Sequence, residues 1–302
     1  MAEGAARTGG GEARFLAAYF GRIGYAGAAA PTLANIAAVH AHHTRAIPFE
    51  NLSPATGAPV DITDEGIEGV LVARRRGGYC FQHAGLLSRA LAAMGARGVE
   101  NHLGRVYWGR EPGTGAPART HQATVVEAEG ARYLVDAGFG GFNPSGLLPL
   151  GLAAEESAVA TPLGTFRAVD VAAAGLPAGD TAGVDLMVQA RLGERWANLY
   201  GVGLGAHAPA DFQVANWYVS TSAVPPFTRS LMFSIRTETE RITLANLELG
   251  VRTYTPDGAS AASRRTLGSA DELREAAREL FRIEDADLDW GRAFRVAAQA
   301  QA

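Results

Sequence analysis

The stretch Arg74-Arg75-Arg76-Gly77-Gly78-Tyr79-Cys80-Phe81 constrains this chain most, because it holds the only cysteine in 302 residues. One thiol cannot close an intrachain disulfide, so a hydrophobic core must hold the fold, and a reducing compartment suits it. The paired glycines allow a sharp turn and the close approach of a ligand to the backbone. A helix is predicted over Phe81 to Met94, with Leu86, Leu87, Ala90, Leu91 and Met94 as its buried stripe. Cys80 therefore stands at a helix start behind three arginines, a setting that draws a thiol towards thiolate near neutral pH. Two readings stay open from this stretch alone: a nucleophile, or a buried and inert thiol.

The rest of the composition narrows the class. Apolar residues make up 47% and charged residues 19%, which describes a globular chain with enough length for a large core. The net charge of −4 provides no basic field for nucleic acid. No apolar run is long enough to span a bilayer. Residues Met1 to Glu12 are rich in Gly and Ala and lack the apolar centre of a secretory signal. They are expected to be disordered, and the protein is expected in the cytoplasm.

Periodicity divides the chain. Helices are predicted over Arg14 to Ile23, Thr32 to Ile47 and Gly66 to Arg75, ahead of the Cys80 helix. Character changes after Gly98. Val106 to Trp108, Thr120 to Val126, Arg132 to Asp136, Leu163 to Val169, Leu186 to Leu192 and Arg195 to Tyr200 read as strands. Their spacing suggests an antiparallel sheet or small barrel. Asp211 to Tyr218 reads as a helix, and Leu231 to Thr237 and Arg241 to Leu247 as strands. A last helix, capped by Ser269, covers Ala270 to Phe281.

A cysteine nucleophile needs a base, and the base needs an orienter. Among seven histidines, His121 stands out. If residues 127–130 form the turn of a hairpin and Val126 pairs with Ala131, His121 lies directly opposite Asp136. Such partners share a face, with Cβ atoms about 4.5–5.5 Å apart. A one-residue bulge would put them on opposite faces. His83, three residues after Cys80, is a rival base. His40, His42 and His43 raise the thought of a metal, but no further ligand with suitable spacing joins them.

Taken together, these residues resemble the arylamine N-acetyltransferases. The resemblance rests on Arg76-Gly77-Gly78-Tyr79-Cys80-Phe81, Arg119-Thr120-His121 and Val135-Asp136-Ala137-Gly138-Phe139-Gly140. Ile47-Pro48-Phe49-Glu50-Asn51-Leu52 and Asn216-Trp217-Tyr218-Val219-Ser220-Thr221 add to it. It runs from about residue 15 to about 282. It implies an α+β fold: a helical bundle with the cysteine over 1–98, a central β-barrel with the histidine and aspartate over 99–210, and an α/β lid over 211–302. The core is then similar to that of cysteine proteases. It also implies a catalytic triad of Cys80, His121 and Asp136 and a ping-pong transfer. The Cys80 thiolate takes the acetyl group of acetyl-CoA and passes it to an arylamine, arylhydrazine or arylhydroxylamine. Acetyl-CoA is a cosubstrate, and no tightly bound cofactor is implied.

By the same resemblance, Gly138, Phe139 and Gly140 form a loop beside the site, with room for the pantetheine or phosphates of CoA. Ser220 and Thr221 are further candidates for CoA contacts. Arg74 and Arg75 read as a solvated charge run. Arg76, Glu50 and Asn51 read as scaffold, with Glu50 and Asn51 near Arg76. Two positions depart from the family pattern of Cys-x-Glu-x-Asn: Gln82 and Ala84. They keep open a related branch, the amide synthases that close macrolactams from a thioester held on an acyl carrier protein. A cysteine hydrolase and a non-catalytic binder are the remaining alternatives. Oligomeric state and acceptor identity are not legible.

Overall fold

In the computed structural model, residues 2–255, 260–284 and 287–301 are described, with the backbone alone for residues 2–9. Helix α1 spans Ala2–Ile23. Disorder was expected over residues 1–12; Met1 lies outside the described residues, and the helix instead begins at Ala2, well before Arg14. Alanines favour that extension, and Glu12 anchors it by accepting a hydrogen bond from Arg89 at 3.3 Å. Its buried face carries Phe15, Leu16, Tyr19 and Ile23. Helix α2, Leu33–Ala46, is capped by Thr32, whose hydroxyl accepts from the Asn35 N–H, and it stops short of Pro48.

Short elements follow: strand β1 (Phe49–Glu50), helix α3 (Leu52–Ala55), and helix α4 (Asp64–Ile67), which continues as a π-helical turn over Glu68–Ala73. Helix α5, Cys80–Ala93, packs against α1, α2 and α4.

The middle of the chain forms one antiparallel eight-stranded sheet. Its strands are β2 (Arg97–Val106), β3 (Arg119–Ala128), β4 (Ala131–Val135), β5 (Leu148–Pro149), β6 (Val159–Thr161), β7 (Gly164–Asp170), β8 (Leu186–Leu192) and β9 (Arg195–Val202). Their order is β5-β4-β3-β2-β9-β8-β7-β6. β5 also touches β7, so the sheet curls almost into a closed barrel around Leu134, Phe166, Val188, Tyr200 and Val202. β2 is far longer than the predicted Val106 to Trp108. Its Arg, Glu, Asn and His residues hide any apolar alternation, and pairing with β3 and β9 on either side makes it a strand.

The last third carries α6 (Pro209–Thr221), β10 (Met232–Arg236), β11 (Glu240–Ala245), β12 (Glu248–Tyr254), β13 (Ser260–Thr266), α7 (Ala270–Glu279) and α8 (Trp290–Gln301). β12, β13 and α8 were not anticipated. β13 is exposed along its whole length. α8 carries Trp290, Ala293, Phe294 and Ala297 at helical spacing, a face that packs on the C-terminal core and that the sequence reading missed. The second sheet runs β1-β10-β11-β12-β13. β1, from the first third, pairs Phe49 with Ser234 and Glu50 with Phe233. Glu50 N–H also donates to Gly78 O at 2.8 Å. One two-residue strand thus ties the cysteine loop to the C-terminal sheet. The expected architecture, helices around a central antiparallel barrel, is the one observed.

Candidate active site

Cys80 is the first residue of α5, and the turn before it is held from several sides. Gly77 packs so tightly that an added Cβ would strike the Pro48 carbonyl. Arg76 is buried and donates through Nε and a terminal nitrogen to Glu50 Oε1, at 3.2 and 2.7 Å, and to Ser53 Oγ. The scaffold reading of Arg76 and Glu50 therefore holds. Asn51 reaches elsewhere: its amide donates to Phe227 O and Ser230 O, and its Oδ1 accepts the Met232 N–H. The Tyr79 hydroxyl donates to Asn216 Oδ1, and Asn216 Nδ2 donates to Val60 O at 3.0 Å. Two sequence motifs 137 residues apart thereby brace one another. Gln82 Oε1 accepts the Tyr79 N–H at 3.3 Å, so the residue that departs from the family pattern serves as a helix cap. Arg75 pairs with Glu284 at 3.0 Å.

His121 lies on β3 opposite Gly104 of β2, and Asp136 follows β4 directly. The hairpin register differs from the expected one. Ala128 pairs with Ala131 and Val126 with Tyr133, around a two-residue turn of Glu129 and Gly130 with φ of 51° and 80°. Positive φ at both positions is the mark of a tight hairpin turn that follows the strand twist. The slip is two residues, so His121 and Asp136 keep one face but become diagonal neighbours rather than direct partners.

The side chains nevertheless meet. His121 Nε2 lies 2.7 Å from Asp136 Oδ2, and the Gly138 N–H donates to Oδ1 at 2.7 Å. The Cys80 thiol adds to the stabilisation of charged His121, and its own hydrogen bond goes to Thr120 O at 3.6 Å. Cys80, His121 and Asp136 are each at most 2% exposed. Burial by itself would lower the pKa of His121, yet the charge and hydrogen bond of Asp136, aided by Cys80, raise it to about 10. Burial would likewise raise Asp136, but the His121 charge and hydrogen bond, with further help from the Gly138 N–H, hold it below the usual carboxylate value. An imidazolium between a carboxylate and a thiol is the form this geometry favours.

Tyr200 is a member of the site that sequence reasoning missed. Its ring lies 4.4 Å from that of His121, and its buried hydroxyl faces Asp136 without a well-formed hydrogen bond. Nothing near Tyr200 in the sequence signals this; only curling of the barrel brings β9 there. Phe139 packs edge-on to His121 at 5.2 Å and against Tyr200 at 4.7 Å. Gly138 is buried, and a Cβ there would sit 2.7 Å from Cys80 Cα. Gly140 has φ of 80°. Gly138 and Phe139 therefore form one wall of the site, while Gly140 packs on Phe49. Ser220 and Thr221 lie on the last turn of α6, where both hydroxyls donate to Trp217 O. From the same helix it is Ala215 and Val219 that join the apolar cluster containing Cys80 and Leu103. Leu103 and Ala215 also line an open cleft of about 660 Å³, with Arg119, Asp185, Asp211 and Tyr218 around it.

Among the described residues, no group of three or more His, Cys, Asp or Glu side chains is placed to hold a metal ion. No helix among them is long and apolar enough to cross a membrane.

A buried thiol, imidazole and carboxylate on helix, strand and loop define an enzyme class that moves acyl groups through a cysteine, to water or to another acceptor. Comparison with known proteins narrows the class. The family model described as N-acetyltransferase matches residues 32–288. An arylamine N-acetyltransferase of Mycobacterium tuberculosis is 34% identical over 276 residues, covering 90% of each chain. The structure of the Mycobacterium marinum arylamine N-acetyltransferase in complex with CoA superposes with a TM-score of 0.82 at 33% identity, over 93% of this chain and 98% of that one. The Salmonella typhimurium enzyme superposes with a TM-score of 0.81 at 26% identity, over 94% and 98%. The chain belongs to the arylamine N-acetyltransferase family.

Proposed function

We propose that this protein transfers the acetyl group of acetyl-CoA to arylamines through an acetyl-cysteine on Cys80. The observation that carries this reading is the buried His121–Asp136 pair beside Cys80, closed at its far end by the Gly138 N–H. Cys80, as thiolate, attacks the thioester carbonyl. The tetrahedral oxyanion collapses, the carbon–sulfur bond to CoA breaks, and the His121 imidazolium protonates the departing thiolate. An arylamine nitrogen then attacks the acetyl-cysteine, and the now neutral His121 takes the proton that this nitrogen loses. The Cys80 thiolate leaves, and the ion pair re-forms. Asp136 keeps one tautomer of His121 and stabilises its charged state throughout. The Cys80 N–H, which as a first-turn donor has no partner within the helix, is a candidate for the oxyanion.

The CoA complex of the Mycobacterium marinum relative supports the choice of donor. Gly138, Phe139 and Gly140 would face the bound acyl donor, and Ser220 and Thr221 the far part of CoA. Arylhydrazines and arylhydroxylamines fit the acceptor role as weakly basic nitrogen nucleophiles. The functional units would be residues 1–98 with the nucleophile, 99–210 with the base and its carboxylate, and 211–302 as a lid, in a cytoplasmic enzyme whose thiol needs a reducing environment.

Intact-protein mass spectrometry after mixing with acetyl-CoA tests the reading. One acetyl group on Cys80, discharged by an added arylamine, is the expected result. Absence of the adduct together with an unconsumed thioester would overturn it.

A further inference from the structure

Of the four buried histidines that take no part in the chemistry above, three lie beside the site: His40 and His43 on α2, and His83 on α5. We propose that His40 and His43 form a two-point clamp that sets the nucleophile-bearing helix against the Asp136 carboxylate, and that both are positioning residues for acyl transfer. The inference rests on Cys80, His121 and Asp136 acting as proposed.

The first point is His40. Its Nε2 lies 2.6 Å from the backbone oxygen of Asp136. A carbonyl only accepts, so Nε2 carries the hydrogen. Asn143 Nδ2 donates to the same oxygen at 2.7 Å. Asp136 is thus gripped at its main chain by His40 and Asn143, and at its carboxylate by His121 and the Gly138 N–H.

The second point is His43, and the proton positions follow from the far end of its chain. His83 Nε2 lies 3.1 Å from Pro48 O and must donate to it. In a neutral ring His83 Nδ1 then accepts, so His43 Nε2, 2.8 Å away, donates. His43 Nδ1 must in turn accept, and the Tyr19 hydroxyl at 2.8 Å donates. Burial keeps the rings neutral: it lowers His40 and His83 to about 4 and His43 well below its ordinary value. The cations around the array oppose a second proton. Arg22 donates to Leu71 O, Ala46 O and Arg76 O, and Arg236 donates to Thr44 Oγ1. Asp136 is the facing anion, and its charge is spent on His121. Every hydrogen in the array has one place.

Both ring nitrogens of His83 are engaged, so His83 is not free to act as the base for Cys80. Its position, one turn after Cys80, instead makes it a handle on the nucleophile's helix. Gly138 lies between the two halves: a Cβ there would fall 2.7 Å from Cys80 Cα and 3.1 Å from His83 Cβ. One face of α2 therefore reaches both sides of the site, His40 to the backbone of Asp136 and His43, through His83, to the helix that carries Cys80. Apolar packing would leave the two sides free to slide, whereas hydrogen bonds fix distance and direction.

The test compares His40→Leu with His40→Gln, whose amide nitrogen can reach the same carbonyl. The readout is the rate of Cys80 alkylation by iodoacetamide as a function of pH, with no acyl donor present. Loss of the clamp is expected to slow alkylation at pH 6 about tenfold in His40→Leu. His40→Gln should restore the wild-type profile, and single-turnover acylation should follow the same pattern with a loss of up to about a hundredfold. Tyr19→Phe removes one oxygen from the other arm and should slow alkylation in the same direction; it keeps the test open if His40→Leu does not fold. A folded His40→Leu with the wild-type profile, or equal displacement in His40→Leu and His40→Gln, overturns the clamp. An acetyl-CoA thioester left intact by the wild-type protein would instead count against the acetyl-transfer reading, since alkylation needs no donor.

Discussion

His121 and Asp136 meet at 2.7 Å through their side chains although their backbones are not cross-strand partners. The last paired residue of β4 is Val135, and continuing the register would set Asp136 opposite Ala123. His121 is two positions further along β3, on the same face. An imidazole and a carboxylate are long enough to close a diagonal that their Cα atoms leave at about 7–8 Å. Asp136 is therefore free of the ladder and is aimed by Gly138, Asn143 and His40 instead.

Asp136→Asn should leave the fold intact and cripple acylation. The amide can still bond to the ring, but it favours the wrong tautomer and withdraws the charge that raises His121. Single-turnover acetylation is expected to fall by about 10²–10⁴-fold, with alkylation of Cys80 at pH 6 slowed in parallel. An unchanged acetylation rate in stopped-flow measurement would remove Asp136 from the mechanism.

Stability should depend on pH through the same pair. The folded pKa of His121 is raised from 6.5 to about 10, so its contribution is complete below 6.5 and is lost as pH rises through about 10. Asp136 is depressed, so its contribution is complete above its ordinary value of 3.8 and is lost as pH falls through the lowered one. Scanning calorimetry between pH 6 and 11 should show an alkaline fall in Tm that begins at lower pH in Asp136→Asn. Superimposable wild-type and variant curves would contradict this.

Gly138→Ala places a methyl group against Cys80 Cα and His83 Cβ. Backbone cannot yield as a flexible side chain can, so the loop must retreat from α5 and carry Asp136 with it. Overpacking of this kind costs about 1–3 kcal/mol, and a displacement of about 1 Å costs about a hundredfold in rate. A folded protein with nearly abolished acetylation is expected. Normal turnover would mean that the loop has slack.

The Arg76–Glu50 pair holds the cysteine loop, with side chains 6% and 1% exposed. Glu50→Ala removes the buried carboxylate that Arg76 bonds and the acceptor for the Leu52 N–H. A loss of about 3–5 kcal/mol in urea unfolding is expected. A loss under about 1 kcal/mol would show that water or another group compensates.

Much of the site was legible because its chemistry is local. The lone Cys80 at a helix start, the glycines before it, and a histidine and an aspartate on adjacent strands can all be read from short windows. The helices around Leu86 and Leu273 follow from periodic burial, and the strand over residues 186–192 from a short apolar run buried on both faces. β13 escaped because a strand of exposed polar residues carries no such pattern, whereas the periodic face of α8 at Trp290, Ala293, Phe294 and Ala297 was there to be read. Tyr200 escaped because it lies 64 residues beyond Asp136 and depends on the barrel's curl. The histidines of α2 attracted notice for the wrong reason, since proximity along a helix suggested a shared ligand where the fold gives each ring a separate partner.

By itself, then, the sequence determined which groups could react and roughly which elements carry them, because helix caps, turns and strand periodicity arise from neighbours a few residues apart. Only the tertiary structure decided the hairpin register, the bond from His40 to a carbonyl 96 residues away, and the closure of the cysteine loop against Glu50 and Asn216. Those relations join segments brought together by burial of the core. A local window carries no record of which distant partner will be there.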